Sequence, residues 1–140
     1  WLAVLCGIFC GVVVNLVLIF LFCLLFKMEH TEYVSLLGKS ITTAIALGIT
    51  EELNGTIPVI VVMVVLTGNL GNLFAVQVCK IFKITEPVAK GVAIGTASHA
   101  LGTSKAIEIG EVEGAMSGLS IGIAGILTVI LAPVFAGLIP

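Results

Sequence analysis

Arginine and aspartate are absent from this sequence, and charged side chains of every kind are scarce. Only 10% of its residues are charged while 59% are apolar, and the mean hydropathy is +1.29. A soluble fold needs a polar shell that so few charges cannot form. The six lysines form no basic stripe, so the sequence also lacks the footprint of a nucleic-acid binder. Lipid is therefore the expected solvent for much of the surface.

Motifs for catalysis and for metal binding are missing as well. The sequence has no nucleophile elbow, H-E-x-x-H, Walker motif or aspartate pair, so we predict that it is not an enzyme and uses no cofactor. Its four cysteines lie in apolar runs without a C-x-x-C pair, and Cys6 and Cys10 share a helix face without further ligands nearby. We interpret the cysteines as packing residues and predict no metal site.

Three long uncharged runs, at 1–26, 57–79 and 114–138, are predicted to cross the membrane as helices. The first run lacks the basic region and the cleavage site of a signal peptide, so we expect the mature protein to keep it. Because the chain begins at Trp1 without a methionine, we expect an N-terminally truncated chain. Residues 1–140 are predicted to form a single membrane domain.

Two segments between the long runs have apolar stretches too short to span the membrane. Residues 36–54 and 91–110 mix glycines with hydroxyl side chains, and each contains the tripeptide Ala-Leu-Gly, at 46–48 and 100–102. We predict two interrupted helices, either half-helices or re-entrant ones, within an all-α, polytopic transmembrane helical bundle. Paired broken helices indicate the binding site of a repeat-built secondary transporter, although three shared letters could also match by chance.

The interrupted segments supply the candidate binding residues. A helix break exposes free N–H groups and the positive end of a helix dipole, which suit a carboxylate. His99 is an ionisable residue in an apolar stretch, and it could bind substrate, carry a proton or only bond a backbone carbonyl. Lys105 is either a second ligand or a side chain that extends to the surface. The predicted substrate-binding residues are Ser40, Thr42, Thr43, Gly95, Thr96, Ser98, His99, Gly102, Thr103 and Lys105.

Small and polar residues on the long runs predict helix packing. Glycines recur every fourth residue from 114 to 122, and TGNLGN at 67–72 places small and polar residues on one helix face. The predicted packing residues are Gly68, Asn69, Gly71, Asn72, Gly114, Gly118 and Gly122. Asn15 is interpreted as a packing residue too. The glutamates that follow the two breaks are expected to be solvated helix ends, with cation binding as the alternative.

The distribution of lysines gives an expected orientation. Residues 80–90 hold three lysines against one glutamate, which favours a cytoplasmic loop, while Lys27 and Lys39 compete with it.

Two blocks of sequence resemble the LrgB/CidB family of membrane proteins. GTASHALGTSKAIEIGEVEG at 95–114 is similar to the family's G-T-S-S-H-G-I-G-T-A-x-A block with its acidic E-x-E-G end. KSITTAIA at 39–46 is similar to the family's K-S-V-T-T-P-I-A. The resemblance covers about residues 36–138. It departs at Ala44, where the family usually has proline, and at Ala100, where glycine is usual; the first difference bears on how sharp the first break is.

The resemblance implies a multi-pass protein of the bacterial inner membrane that acts with a small holin-like partner of the LrgA/CidA type. Bacterial members are described as antiholin-like modulators of murein hydrolase activity and lysis. Plant plastid relatives export glycolate and glycerate, and some bacterial ones are linked to pyruvate movement. Our main hypothesis is a transporter of small monocarboxylates, and we also expect a homo-oligomer. The alternative is an antiholin-like regulator that binds its partner through the glycine faces at 114–122 or 68–72.

Overall fold

The computed structural model describes residues 1–139, in which it contains six helices and no strand. The helices are α1 (Leu2–Phe26), α2 (His30–Leu36), α3 (Thr43–Glu52), α4 (Ile57–Ile81), α5 (Pro87–Ile109) and α6 (Glu111–Ala136). Three of them, α1, α4 and α6, are long and apolar enough to cross a membrane. A helix of this length reaches about 37 Å at 1.5 Å per residue, which exceeds a hydrocarbon core of about 30 Å. The predicted all-α membrane bundle is confirmed.

The outer faces of the long helices are apolar and exposed. Leu21 and Phe22 on α1 and Ile126 and Ile130 on α6 each have about half or more of their surface exposed. The inner faces carry the core, where side chains such as Ile8, Leu16, Ile60 and Val64 are almost fully buried. Apolar side chains on both sides of a helix are expected where lipid replaces water.

α2 and α3 form a hairpin that enters the membrane and returns to the same end. The turn between them reaches the middle of α1, where the Ser40 hydroxyl donates to Asn15 Oδ1 at 3.1 Å. The two arms lie against each other, since a Cβ placed on Gly38 would lie 3.1 Å from Ala46 Cα. The backbone N–H of Thr56, just before α4, donates to Ser35 Oγ near the end of α2 at 2.6 Å. The first interrupted segment is therefore re-entrant.

α5 is also a hairpin, because its helix reverses direction at Ser98 (φ −137°, ψ 18°) and His99 (φ 43°, ψ −140°). A Cβ placed on Gly102 would lie 3.2 Å from Ile94 Cγ2, although eight residues of straight helix would separate the two positions by about 12 Å. Residues 87–97 and 100–109 therefore lie side by side. The second interrupted segment is re-entrant as well, which confirms the prediction of two interrupted helices.

The two hairpins enter from opposite ends of the bundle. The first lies where α1 ends and α4 begins, and the second lies where α4 ends and α6 begins. We call the second end the lysine end, since it carries Lys80, Lys83 and Lys90, and Lys90 Nζ lies 3.9 Å from Glu113 Oε1 there. A long helix begins about every 55 residues, and each of the first two is followed by a hairpin. This is the arrangement of an inverted repeat.

Candidate functional site

His99 forms the tip of the second hairpin and points toward α4. Its side chain is 3% exposed, and Nε2 lies 3.0 Å from the carbonyl oxygen of Val64. A carbonyl only accepts, so this nitrogen carries the hydrogen. The φ of 43° lies in a region that non-glycine residues rarely adopt, which costs about 1–3 kcal/mol. The surrounding contacts must therefore hold the tip in place.

Hydroxyl groups beside the break satisfy the local hydrogen bonds. Ser98 Oγ donates to the carbonyl of Ile94 at 2.9 Å. Thr103 Oγ1 lies 2.9 Å from the carbonyl oxygen of His99 and 2.7 Å from Ser117 Oγ on α6. Non-helical backbone at membrane depth is tolerated only where such partners or neighbouring protein cover it. These hydroxyls therefore stabilise the hairpin in this structure.

The small and polar face of α4 receives the tip of the second hairpin. A Cβ placed on Gly68 would lie 2.6 Å from His99 Cε1, and one on Gly71 would overlap Ser98. Asn72 Nδ2 donates to the carbonyl oxygen of Leu101 at 2.8 Å. These three α4 residues therefore lie against the hairpin in this structure.

The other predicted packing residues differ in their surroundings. Gly114 packs closely, because its added Cβ would lie 2.8 Å from Ile107 Cγ1. Asn69 is exposed and donates to Val65 of its own helix at 2.9 Å. Gly118 and Gly122 are exposed, with nothing within 4 Å of an added Cβ. Within residues 1–139, Gly118 and Gly122 therefore have open space where a Cβ would lie, and the packing role of these two glycines and of Asn69 stays a prediction.

A groove of about 760 Å³ runs along α1, the α2–α3 turn and the first arm of α5. Glu86 lines it at the lysine end. We call the part beside Asn15, near the middle of α1, the floor. The floor is lined by Asn15, Lys39, Ser40 and Thr96. The Lys39 ammonium donates to Ser40 Oγ at 3.2 Å. Both hairpins thus contribute polar residues to one cavity.

The predicted binding residues do not all meet in this groove. Ser40 and Thr96 line it, whereas Thr42, Thr43 and His99 do not. Lys105 lies on the second arm of α5 and pairs with Glu108 at 2.7 Å.

Three of the remaining predicted residues serve the hairpin itself. Gly95 is buried against Ser117, with 2.8 Å between its added Cβ and the Ser117 Cα. Gly102 accommodates Ser98, and Thr103 bonds Ser117. Binding roles for all of these residues stay predictions.

Sequence reasoning overlooked Lys39 and Asn15 as groove residues. Asn15 is the one polar amide or hydroxyl residue in the 26-residue first run, and Lys39 opens the motif of the first break, so both carried a visible signal. No three His, Cys, Asp or Glu side chains cluster as metal ligands would within residues 1–139.

These features define a polytopic helical membrane protein with two opposed re-entrant hairpins and an apolar groove that carries a few polar residues at its floor. The LrgB-like family matches residues 1–138, and the chain belongs to that family.

Proteins named antiholin-like protein LrgB are similar to this chain. Those of Bacillus cereus strains B4264 and AH187 and of Bacillus anthracis strain A0248 are each 36% identical over 96% of the chain. The chain spans 59% of the length of these relatives. No solved structure matches it.

Proposed function

We propose that this protein is an antiholin-like regulator of murein hydrolase activity and lysis in the bacterial inner membrane. The observation that carries the proposal is the 36% identity, over 96% of the chain, to relatives named antiholin-like protein LrgB. The names of these relatives favour this function over transport, which was the main hypothesis from the sequence. Since the chain spans 59% of those relatives, the activity of the whole protein is part of the proposal.

A small holin-like membrane protein of the LrgA/CidA type is the proposed partner, and α6 offers the face for it. The glycines at 68, 71 and 114 already pack within the chain, whereas Gly118 and Gly122 are open. Two glycines four residues apart let another helix approach closely. The partner interface is therefore assigned to the outer face of α6 and not to 68–72.

The lysine distribution places the lysine end in the cytoplasm in this proposal. Lys80 and Lys83 lie at that end. Lys39 lies at mid-depth in the groove, so it does not add to the number of lysines in the loops at either end. Lys27 remains on the opposite side.

The test is co-purification of the holin-like partner from cells that express both proteins, together with a measurement of lysis. Gly118 and Gly122 form an open notch on the outer face of α6. Gly118→Leu fills this notch, and we expect it to reduce both partner recovery and the effect on lysis. Ile126→Leu, on an exposed position of the same helix, is the matched control. Undiminished partner recovery with Gly118→Leu would remove this face from the proposal.

A second candidate function is transport of small monocarboxylates such as glycolate, glycerate or pyruvate. It is favoured by the two opposed hairpins, because re-entrant helices at mid-depth are how repeat-built transporters form substrate sites. His99, a candidate from the sequence for orienting or protonating the substrate, faces α4 and does not line the groove. The test is uptake of labelled glycolate, pyruvate and lactate by proteoliposomes, with and without a proton gradient. If none of these acids is taken up, with or without the partner, the regulator is the better supported of the two functions.

A further inference from the structure

We propose that the groove is a binding site for a small monocarboxylate anion, which is held by the ammonium group of Lys39. This proposal deepens the second candidate function by naming the cation that binds the substrate. It rests on that candidate only where transport itself is concerned. As a binding site it is independent of whether the protein transports anything. It also moves the centre of the site from His99, which faces α4, to the floor of the groove.

Lys39 places an ammonium group in the groove without a carboxylate partner among the described residues. An ammonium at membrane mid-depth is costly unless water, polar groups or a counter-ion surround it. Among residues 1–139 the ion pairs are Lys90 with Glu113 and Lys105 with Glu108, so no carboxylate of the described chain pairs with Lys39. Its one side-chain hydrogen bond there is to Ser40. Two ammonium hydrogens are left to face the groove.

The floor also offers an amide donor. Ser40 donates its own hydrogen to Asn15 Oδ1, which leaves the Asn15 amide hydrogens free. Thr96 contributes its methyl group on the α1 side, since a Cβ placed on Gly11 would lie 2.7 Å from Thr96 Cγ2, and its hydroxyl oxygen is buried. An ammonium and an amide together form a donor set that suits carboxylate oxygens.

The groove limits the size and charge of the ligand. Its walls are apolar, with Val14, Val92 and Ala93 among the lining residues. One cation neutralises one carboxylate, and a second charge would be left in apolar surroundings at high cost. Glu86, at the lysine end, is the one acidic residue that lines the groove, and it would disfavour multivalent anions further. Monocarboxylates with a short organic tail are therefore the fitting class.

The experiment measures binding with the purified protein in nanodiscs. Equilibrium binding of radiolabelled pyruvate and glycolate is compared for the wild type, Lys39→Met, Lys39→Arg and Lys80→Met. We expect saturable binding by the wild type, at least about tenfold weaker binding by Lys39→Met, and near wild-type binding by Lys39→Arg, because a charge-assisted hydrogen bond is lost only in the methionine variant. Lys80→Met removes an exposed cation outside the groove and should change nothing.

A second pair of variants covers the case in which Lys39→Met does not fold. Ala93→Trp fills the exposed side of the groove, and Ala115→Trp places the same bulk on an exposed position of α6 outside it. Binding should be lost in the first and kept in the second. The site is refuted if the wild type binds neither acid, or if Lys39→Met or Ala93→Trp binds as the wild type does. Binding without uptake in proteoliposomes would refute the transporter and leave the site standing.

Discussion

Gly95→Ala tests the packing of the second hairpin against α6. A Cβ at this position would lie 2.8 Å from Cα and 2.9 Å from the carbonyl carbon of Ser117. Both are backbone atoms, so the two helices must separate to admit the methyl group. Overpacking of this kind costs about 3 kcal/mol at the upper end of its usual range, and the better helix propensity of alanine offsets about 1 kcal/mol. We expect a net loss of about 2 kcal/mol, roughly a thirtyfold shift in the unfolding equilibrium.

The measurement is unfolding in mixed micelles with increasing SDS, followed by far-ultraviolet circular dichroism. Gly118→Ala is the matched control, since it makes the same change in a helix where nothing lies within 4 Å of the added Cβ. It should be neutral or slightly stabilising, because only helix propensity changes.

The comparison of the two alanine variants separates helix packing from backbone effects. If Gly95→Ala is as stable as the wild type, the close contact between α5 and α6 is wrong. If both variants lose the same stability, the loss comes from replacing a glycine in a helix, and not from the contact between α5 and Ser117. We therefore expect the difference between the two variants, and not either value alone, to carry the result.

Three further substitutions test other contacts. His99→Ala should cost about 1 kcal/mol in the SDS assay, because it removes the hydrogen bond from Nε2 to the carbonyl of Val64 at 3.0 Å, and an unchanged midpoint would contradict that bond. Tyr33→Phe should cost about 1–2 kcal/mol in the SDS assay, because the phenol donates to the carbonyl of Phe135 at 2.9 Å, and an unchanged midpoint would contradict that bond. Asn72→Ala should cost about 1 kcal/mol and speed hydrogen exchange of the second hairpin, and unaltered exchange would show that its bond to Leu101 is dispensable.

The long helices could be predicted from the sequence because length and apolarity determine them. Residues 1–26 and 57–79 lie within a few residues of α1 and α4. The breaks could also be placed, since glycines, hydroxyls and short apolar stretches do not suit a lipid-facing span. In residues 91–110 the break falls at Ser98 and His99, close to the middle of the predicted segment.

The path of the chain at each break could not be predicted. A kink and a complete reversal share the same helical pattern on both sides, and no glycine or proline lies at 98 or 99 to mark a sharp turn. The reversal depends on distant partners, chiefly Gly68 and Gly71 on α4. The groove was missed for a similar reason, since Asn15 and Ser40 are 25 residues apart and only the folded hairpin joins them.

The two candidate functions use surfaces that do not overlap. The groove is lined by α1, the α2–α3 turn and the first arm of α5, and no residue of α6 lines it. The open notch at Gly118 and Gly122 lies on the outer face of α6. Substitutions at separated surfaces with no shared contacts act independently. Gly118→Leu should therefore weaken partner binding without changing acid binding, and Ala93→Trp should do the reverse. If each variant impairs both activities, the two surfaces are coupled, and acid binding in the groove would then control the face offered to the partner.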